Sequence, residues 1–264
     1  MKKHSYLIDY IETLRKQGKY LFLKSDAIKA LHISENALQK SITRLSKKGK
    51  IAYLKKGLYQ IIPVEYESTG SLPPEWIIHD LMTHLGIPYY IGLLSAAALH
   101  GAAHQAPQIF QVICQKKIPD LTLGKLKLCF YASKDFSAIP TQDIKTPAGY
   151  VKVSTPEGTA FDFMRYLHQS GHLNHVATLL SELAEEIDAQ KLSFVAQKVS
   201  FRYSQRLGYL LDHLGYSSLT DPLYQFVSHK KLRYIPLRPD SSAQNAERNS
   251  RWCIFVNENI EPDI

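Results

Sequence analysis

The sequence predicts an α+β protein, in which an N-terminal winged helix-turn-helix domain is followed by a larger α+β domain. Residues 1–62 alternate helical and strand patterns, and the rest runs through helices, strands and helices again rather than a regular βαβ array. Residues 1–62 also hold 14 Lys and Arg against four acids, a net of +10. The whole chain is +8, so the other 202 residues sum to −2. Positive charge concentrated in one segment usually contacts a phosphate backbone.

The composition is that of a folded protein long enough for two domains. Of the 264 residues, 45% are hydrophobic and 21% are charged. No apolar run approaches the roughly 18 residues of a membrane span, and Asp9, Glu12 and Arg15 interrupt the apolar positions near the start. The three cysteines lie far apart, without metal-type pairing. We expect a cytoplasmic protein with no membrane partner.

The N-terminal elements follow from apolar spacing and capping residues. The segment Tyr6–Leu14 has apolar residues at three- and four-residue spacing and predicts a helix that ends at Gly18. Tyr20–Leu23 predicts a short strand, and Ser25 is a suitable N-cap for a second helix. After a tight turn, a third helix is expected over Ser34–Lys48, with Ser34 as its cap.

The third helix has the polar face that a recognition helix needs. Its buried stripe is Leu38, Ile42 and Leu45. Asn and Gln read adenine edges, Arg reads guanine, and Lys neutralises phosphate. The predicted DNA-binding residues on this helix are Asn36, Gln39, Lys40, Thr43, Arg44, Lys47 and Lys48.

A basic hairpin is expected after the third helix. Two short strand patterns are joined by Lys55, Lys56 and Gly57, which would form the wing of the motif, and both lysines are predicted DNA contacts. The alternative is that the lysine-rich surface is a solvated face or contacts a protein, because winged helices also serve as protein-binding modules.

The domain boundary is expected where prolines replace helical periodicity. We predict a DNA-binding domain over residues 1–63, a linker over 64–75 and an α+β domain over 76–264. In the latter, Thr155 or Ser154 would cap a helix with Pro156 in its first turn. Further helices are expected over 76–85, 172–186, 189–200 and 203–215. Strand-like runs are expected at 109–115, 125–132 and 149–155, extended segments at 234–239 and 251–257, and a mobile loop at 241–250.

Histidines raise the question of an enzyme. His100 and His104 have a spacing that can share a metal, and a cluster over 168–175 lies near three glutamates. Asp143 and Lys145 faintly resemble a nuclease carboxylate–lysine pair, without a partner acid. There is no Walker motif, dinucleotide fingerprint or nucleophile elbow. The sequence favours a protein that is not an enzyme, with no catalytic residue, metal or cofactor.

Four elements together resemble the AbiEi family of antitoxins from bacterial abortive-infection toxin–antitoxin systems. They are the N-terminal pattern, "YYIGLLSAAALHG" (Tyr89–Gly101), "VSTPEGTAFDFMRY" (Val153–Tyr166), and "RLGYLLDHLG" (Arg206–Gly215) with "NSRWCIFVN" (Asn249–Asn257). In this family the "STPE" element is often followed by arginine, where this chain has Gly158.

The resemblance implies a transcriptional autorepressor that binds inverted repeats of double-stranded DNA in its own promoter. It also implies that the C-terminal domain counters a cognate toxin resembling a nucleotidyltransferase. The motif residues themselves admit two interpretations. Asp162 and Arg165 have the spacing of a pair on one helix face. Arg202, Arg206 and Asp212 either belong to the framework or form an antitoxin surface that binds a partner.

Two rival functions remain open at the level of the sequence. One is a toxin-neutralising module that binds an acidic protein or RNA without a specific operator. The other is a nucleic-acid-processing enzyme that uses the histidine cluster over 168–175 with the nearby acids.

Overall fold

The structure is a computed structural model and describes residues 6–102 and 108–262. Its first part, the N-terminal unit (residues 6–62), has three helices and a three-stranded antiparallel sheet with the order β1-β3-β2. The elements are α1 (Leu7–Lys16), β1 (Leu21–Leu23), α2 (Lys24–Leu31), α3 (Glu35–Lys47), β2 (Ile51–Lys55) and β3 (Leu58–Ile61).

The apolar stripes of the three helices meet in one small core. Ile11 of α1, Ala27 of α2 and Leu38 of α3 are almost fully buried there and belong to one cluster with Ile61 of β3. This packing fixes the rotation of α3, so that the opposite face of the helix points to solvent.

Local hydrogen bonds fix the positions at which α2 and α3 begin. The Ser34 hydroxyl accepts a hydrogen bond from the Ala37 N–H at 3.3 Å, which confirms the predicted cap of α3. The prediction that Ser25 caps α2 is wrong, because β1 runs directly into the helix and Leu23 occupies the cap position. The Lys24 N–H instead donates to the Gly57 carbonyl at 2.9 Å, which ties the start of α2 to the hairpin.

The segment at 64–75, expected to be a linker, is packed against its surroundings. It contains a 3-10 turn at Val64–Tyr66, and a second 3-10 turn follows at Pro74–Trp76. Leu72 is only 2% exposed. The Trp76 ring lies against the rings of Tyr20 (5.1 Å between centroids) and Tyr66 (5.7 Å), so aromatic contacts span the segment.

A six-stranded mixed sheet with the order β6-β7-β5-β4-β9-β8 organises the rest of the chain. The β4–β9 and β5–β7 pairs are parallel, and the other pairs are antiparallel. The strands are β4 (Tyr89–Ile91), β5 (Ile109–Cys114), β6 (Leu121–Leu123), β7 (Leu126–Ala132), β8 (Thr141–Thr146) and β9 (Gly149–Ser154).

Helices cover this sheet, and a small second sheet follows near the C-terminal end. The small sheet has the order β10-β12-β11. The elements are α4 (Ile78–Leu85), α5 (Leu93–Leu99), α6 (Pro156–Arg165), α7 (His172–Leu183), α8 (Ala189–Ala196), α9 (Phe201–His213), α10 (Ser217–Ser228), β10 (Ile235–Pro236), β11 (Glu247–Asn249) and β12 (Ile254–Val256). The predicted α+β class is thus confirmed.

Alternate residues of the central strands pack into two separate hydrophobic cores, one on each face of the sheet. Tyr90 and Ile113 belong to the core formed with α6 to α10, whereas Ile91 and Val112 belong to the core on the other face. This division follows from the two-residue period of side chains in a strand. The second core also includes Leu21, Leu54 and Leu58, so the N-terminal unit packs directly on this face of the sheet.

Several boundaries differ from the prediction. Helix α4 begins at Ile78 rather than Trp76, and α8 ends at Ala196. Helix α10 and strands β4, β6 and β8 are additional elements. The polar segment expected to be a mobile loop contains β11, which pairs with β12. Among the described residues, no helix is both long and apolar enough to cross a membrane.

Candidate functional site

The outer face of α3 carries all seven polar residues that the sequence predicts to contact DNA. Each of them is exposed, because Leu38, Ile42 and Leu45 hold the opposite face in the core. Thr43 donates its hydroxyl to the Gln39 carbonyl at 2.9 Å, so this hydroxyl is engaged within the helix. An open groove of about 720 Å³ runs along the face, lined by Asn36, Gln39, Lys40, Thr43, Arg44, Lys47 and Lys48.

The β2–β3 hairpin brings two more cations to the same unit. Lys56 is exposed at the tip with a φ of 50°, and Gly57 follows with a φ of 77°. Lys55 is half-buried in β2. A ring nitrogen of His84, on α4, lies 3.3 Å from the Lys56 carbonyl oxygen. The hairpin is therefore held by α4 as well as by its own strands.

The cations of this surface are unneutralised by side chains in the described part of the chain. Lys40, Arg44, Lys47, Lys48, Lys55 and Lys56 form no ion pair with a described acid. Arg15 and Lys24 of the same unit do pair, with Glu12 and Glu35 respectively, both within 3.0 Å. The charges on α3 and the hairpin are among the unpaired cations of this unit, and their concentration on one surface suits a polyanion.

Sequence reasoning missed two side chains that bear on this surface. His84 lies outside the basic segment, so no sequence pattern connects it with the hairpin. Tyr53, on β2, is 57% exposed beside the buried Tyr59, with 5.4 Å between ring centroids. No regular alternation in β2 marks this ring as outward, because Ile51, two residues earlier, is buried.

The motif segments Tyr89–Gly101 and Val153–Tyr166 contact each other inside the sheet–helix core. The Tyr90 hydroxyl donates to Asp162 Oδ1 at 3.3 Å, and the His100 ring nitrogen lies 2.7 Å from the Ser154 carbonyl oxygen. Asp162 is fully buried, and burial raises the pKa of its carboxyl to about 7, although Arg165 and the Tyr90 hydrogen bond oppose the shift.

The expected pairing of Asp162 with Arg165 does not form. The Arg165 guanidinium instead contacts Asp135 at 3.0 Å and the Ser133 hydroxyl at 2.6 Å. These partners lie just beyond β7, where they draw the arginine away from its neighbour on the helix. Asp162 Oδ2 has no hydrogen-bond partner in the described part of the protein.

The "STPE" segment is a helix start built into the core. Thr155 caps α6 by accepting the Gly158 N–H at 3.2 Å, as predicted, with Pro156 in the first turn. Glu157 is 3% exposed and accepts the Asp188 N–H at 3.0 Å, ahead of α8. A Cβ at Gly158 would lie 2.8 Å from Ile139 Cγ2, so this chain has no room there for an arginine.

The other two motif segments meet around Trp252. Its ring is fully buried against Gly208 of α9, where an added Cβ would come within 2.4 Å of the indole. The indole N–H donates to Asp212 Oδ2 at 2.7 Å, and the Thr220 hydroxyl donates to the other carboxylate oxygen. Arg251 completes the cluster with an ion pair to Asp212 at 3.2 Å.

Of the three residues considered for an antitoxin surface, only Arg202 is exposed. Arg206 is 8% exposed, and its Nε donates to the Pro236 carbonyl at 3.1 Å. Both carboxylate oxygens of Asp212 accept hydrogen bonds within the Trp252 cluster. These contacts make Arg206 and Asp212 framework residues, and they correct the expectation of an open surface through all three.

The histidines that suggested an enzyme do not converge on a metal site within the described residues. His168 lies 3.3 Å from Asp240 and packs edge-on against His172, with 4.8 Å between centroids. His104 lies outside the described residues. Asp143, considered for a nuclease pair, forms an ion pair with Lys152 at 3.2 Å.

Comparison with known proteins identifies a solved structure with a similar fold. No curated protein sequence matches the chain. The RV2827C protein from Mycobacterium tuberculosis shares 14% identity and superposes with a TM-score of 0.68, over 93% of this chain and 89% of that one. Its likeness concerns the fold alone.

A second solved structure is much less similar. It is an antigenic nucleotidyltransferase-like protein from Paracoccidioides brasiliensis, 10% identical, with a TM-score of 0.35 over 56% of this chain and 89% of that one. A likeness of this size carries no argument about fold or function.

The family comparison bears directly on the motifs described above. The model of the AbiEi antitoxin C-terminal domain matches residues 90–213. This range includes the Tyr90–Asp162 contact, the "STPE" helix start and the whole of α9. The match covers 124 of the 264 residues, and over this range the chain is similar to AbiEi antitoxins.

Proposed function

We propose that this protein is an antitoxin and also a DNA-binding transcriptional autorepressor. Residues 1–63 act as a winged helix-turn-helix domain on inverted repeats in the promoter of its own operon. Residues 76–264 counter a cognate toxin that resembles a nucleotidyltransferase. The observation that carries the proposal is the outer face of α3, where seven exposed residues combine base-reading amides and an arginine with lysines that no described acid neutralises.

The order of elements supports this role for α3. Helices α2 and α3 are joined by a short turn in which His32 adopts a left-handed φ of 53°, and the β2–β3 hairpin follows directly. In this arrangement α3 enters the major groove, with Asn36, Gln39 and Arg44 nearest the bases. Lys40, Lys47 and Lys48 hold phosphates on either side. A lysine contacts phosphate as a point charge, without the planar bidentate geometry with which arginine reads guanine.

The hairpin extends the contact along the DNA. Lys56 is exposed at its tip, and Lys55 projects from the adjoining strand. Since α4 and the core beneath Leu54 and Leu58 hold the hairpin, its lysines approach phosphates without a large loss of conformational freedom. This support also argues for testing the whole chain, because a fragment of residues 76–264 would expose the core that Leu21, Leu54 and Leu58 cover.

Two single substitutions test the division between base reading and phosphate binding. Arg44→Ala should relax preference at one position of the operator and cost about 1–3 kcal/mol of specific binding, because a bidentate contact to guanine is lost. Lys55→Ala should weaken specific and random duplexes by the same factor. Fluorescence anisotropy on the DNA upstream of the reading frame, beside a scrambled duplex, measures both effects.

Lys191→Ala, an exposed lysine on α8, is the matched control and should leave both affinities unchanged. If Arg44→Ala and Lys55→Ala shift the specific and scrambled duplexes equally, α3 does not read sequence. The alternative of an antitoxin without a specific operator would then be favoured.

A further inference from the structure

A second positively charged surface lies in the helical part of the chain, far along the sequence from α3. Residues 190–235 contain seven Lys and Arg against two acids, a net of +5. The whole of residues 63–264 sums to −2, with 18 basic and 20 acidic residues, so the remainder of that part is −7. The stretch is therefore a basic region within an otherwise acidic one.

Three of the seven basic residues of this stretch, Arg202, Lys231 and Arg233, line a defined cavity, which we call the basic cleft. It lies between the start of α9 and the segment that leads into β10, and its volume is about 360 Å³. A volume of this order is within the range of small-ligand sites. The lining residues are Ser200, Phe201, Arg202, Gln205, Lys231, Leu232, Arg233, Tyr234 and Ile235.

One wall of the basic cleft is fixed by buried hydrogen bonds. The Gln205 amide is 2% exposed and donates to the carbonyls of Arg233 at 3.0 Å and Trp252 at 2.9 Å. The next residue, Arg206, donates to the Pro236 carbonyl. The segment opposite α9 is thus held in place at both ends, and the cleft is preformed.

The cations of the basic cleft have no acid to neutralise them within the described residues. Arg202, Lys231 and Arg233 are exposed, and none forms an ion pair there. Lys230 is next to them, with its ammonium 5.8 Å from the centroid of the Phe201 ring. Three positive charges therefore line one small cavity and a fourth lies near its Phe201 ring, which favours an anionic ligand.

Two exposed aromatic rings distinguish this surface from a merely basic one. Phe201 is 38% exposed and Tyr234 is 39% exposed, and both line the cleft. Tyr234 packs on Phe255 with 5.2 Å between centroids, and the Arg248 guanidinium lies 5.7 Å from the Tyr234 ring. A supported, partly exposed ring beside cations is the arrangement on which unpaired nucleic-acid bases stack.

We propose that the basic cleft binds a single-stranded nucleic acid. One nucleotide occupies the cavity with its base on Tyr234 or Phe201, while Arg202, Lys231 and Arg233 contact the phosphates. A duplex does not fit, because its bases are stacked on each other and present no free face to a ring. The site is separate from the outer face of α3, so it does not depend on operator binding.

The proposal is tested in the full chain with the α3 surface disabled by Arg44→Ala and Lys47→Ala. Anisotropy is measured with a labelled oligoribonucleotide of about 12 nucleotides and its deoxy counterpart. Tyr234→Ala should weaken binding at least fivefold, and the double substitution Lys231→Glu with Arg233→Glu at least tenfold. Binding of either oligonucleotide at this site supports the proposal, and their ratio shows which sugar is preferred.

Matched controls separate the site from general charge and from misfolding. Tyr150→Ala removes another tyrosine that is 60% exposed, and Lys116→Glu with Lys117→Glu reverses two exposed lysines in the turn after β5. Thermal melts of every variant check folding. The double substitution Lys231→Glu with Arg233→Glu tests the site even if Tyr234→Ala unfolds the protein. Equal losses in the controls, or polyglutamate binding as tightly as the oligonucleotide through the same residues, would overturn the proposal.

Discussion

Replacing Gly208 with alanine is expected to destabilise the protein by at least about 3 kcal/mol. The new methyl group would sit within 2.5 Å of three atoms of the Trp252 ring, which is fully buried and has no space to retreat. Any shift of the indole also strains its hydrogen bond to Asp212 and the contacts of Thr220 and Arg251. The roughly 1 kcal/mol gained in helix propensity does not offset these losses.

A thermal melt measures the effect directly. For a chain of this size about 1 kcal/mol corresponds to 2–4 °C, so the melting temperature should fall by roughly 6 °C or more. Combining Gly208→Ala with Trp252→Leu provides the control, because the smaller side chain removes the clash. The double variant should lose less stability than the sum of the two single variants. A melting temperature unchanged by Gly208→Ala would contradict the described packing.

Replacing Asp162 with asparagine should make the protein more stable at neutral and alkaline pH. Burial raises the pKa of Asp162 from an ordinary 3.8 to about 7, so the folded state holds a proton that the unfolded state releases above about pH 4. Below about pH 4 the carboxyl therefore does not lower the free energy of unfolding. As the pH rises to about 7 it lowers this free energy progressively, and above that pH the loss stays constant. Asparagine keeps an acceptor for the Tyr90 hydroxyl without the titration.

Denaturant unfolding of both proteins at a series of pH values tests this prediction. Between pH 5 and pH 8 the wild-type protein should lose about 3 kcal/mol relative to Asp162→Asn. Asp143→Asn is the control, since it makes the same substitution at an exposed carboxylate. A constant difference between wild type and Asp162→Asn across this range would show that the buried carboxyl does not titrate there.

The parts of the fold that were predictable have strong local patterns. Helix α3 was expected almost to the residue, because its apolar stripe and the Ser34 cap agree. Strands β8 and β11 were not, because they are mostly exposed and polar and are held by backbone pairing to β9 and β12. Helix α10 carries Pro222 in its interior, which removes the usual helical signal.

The residues of the candidate site also differ in how far the sequence predicts their positions. The outward residues of α3 follow from helical period alone, because one face must be buried. In α9 the same reasoning left Arg206 and Asp212 open between framework and surface roles, because their partners Pro236 and Trp252 are supplied by segments much later in the chain. Periodicity identifies the polar face of a helix, but it does not reveal whether a distant segment will cover that face.

The most direct test of the autorepressor account is a binding titration of the wild-type chain at several salt concentrations. It compares the DNA upstream of its own reading frame with a scrambled duplex. With six to eight cationic groups on phosphates, log affinity for the upstream DNA should fall with log salt at a slope of roughly −5 to −7, with clear preference over the scrambled duplex. A nearly flat slope, or equal affinity for both duplexes, would contradict the account.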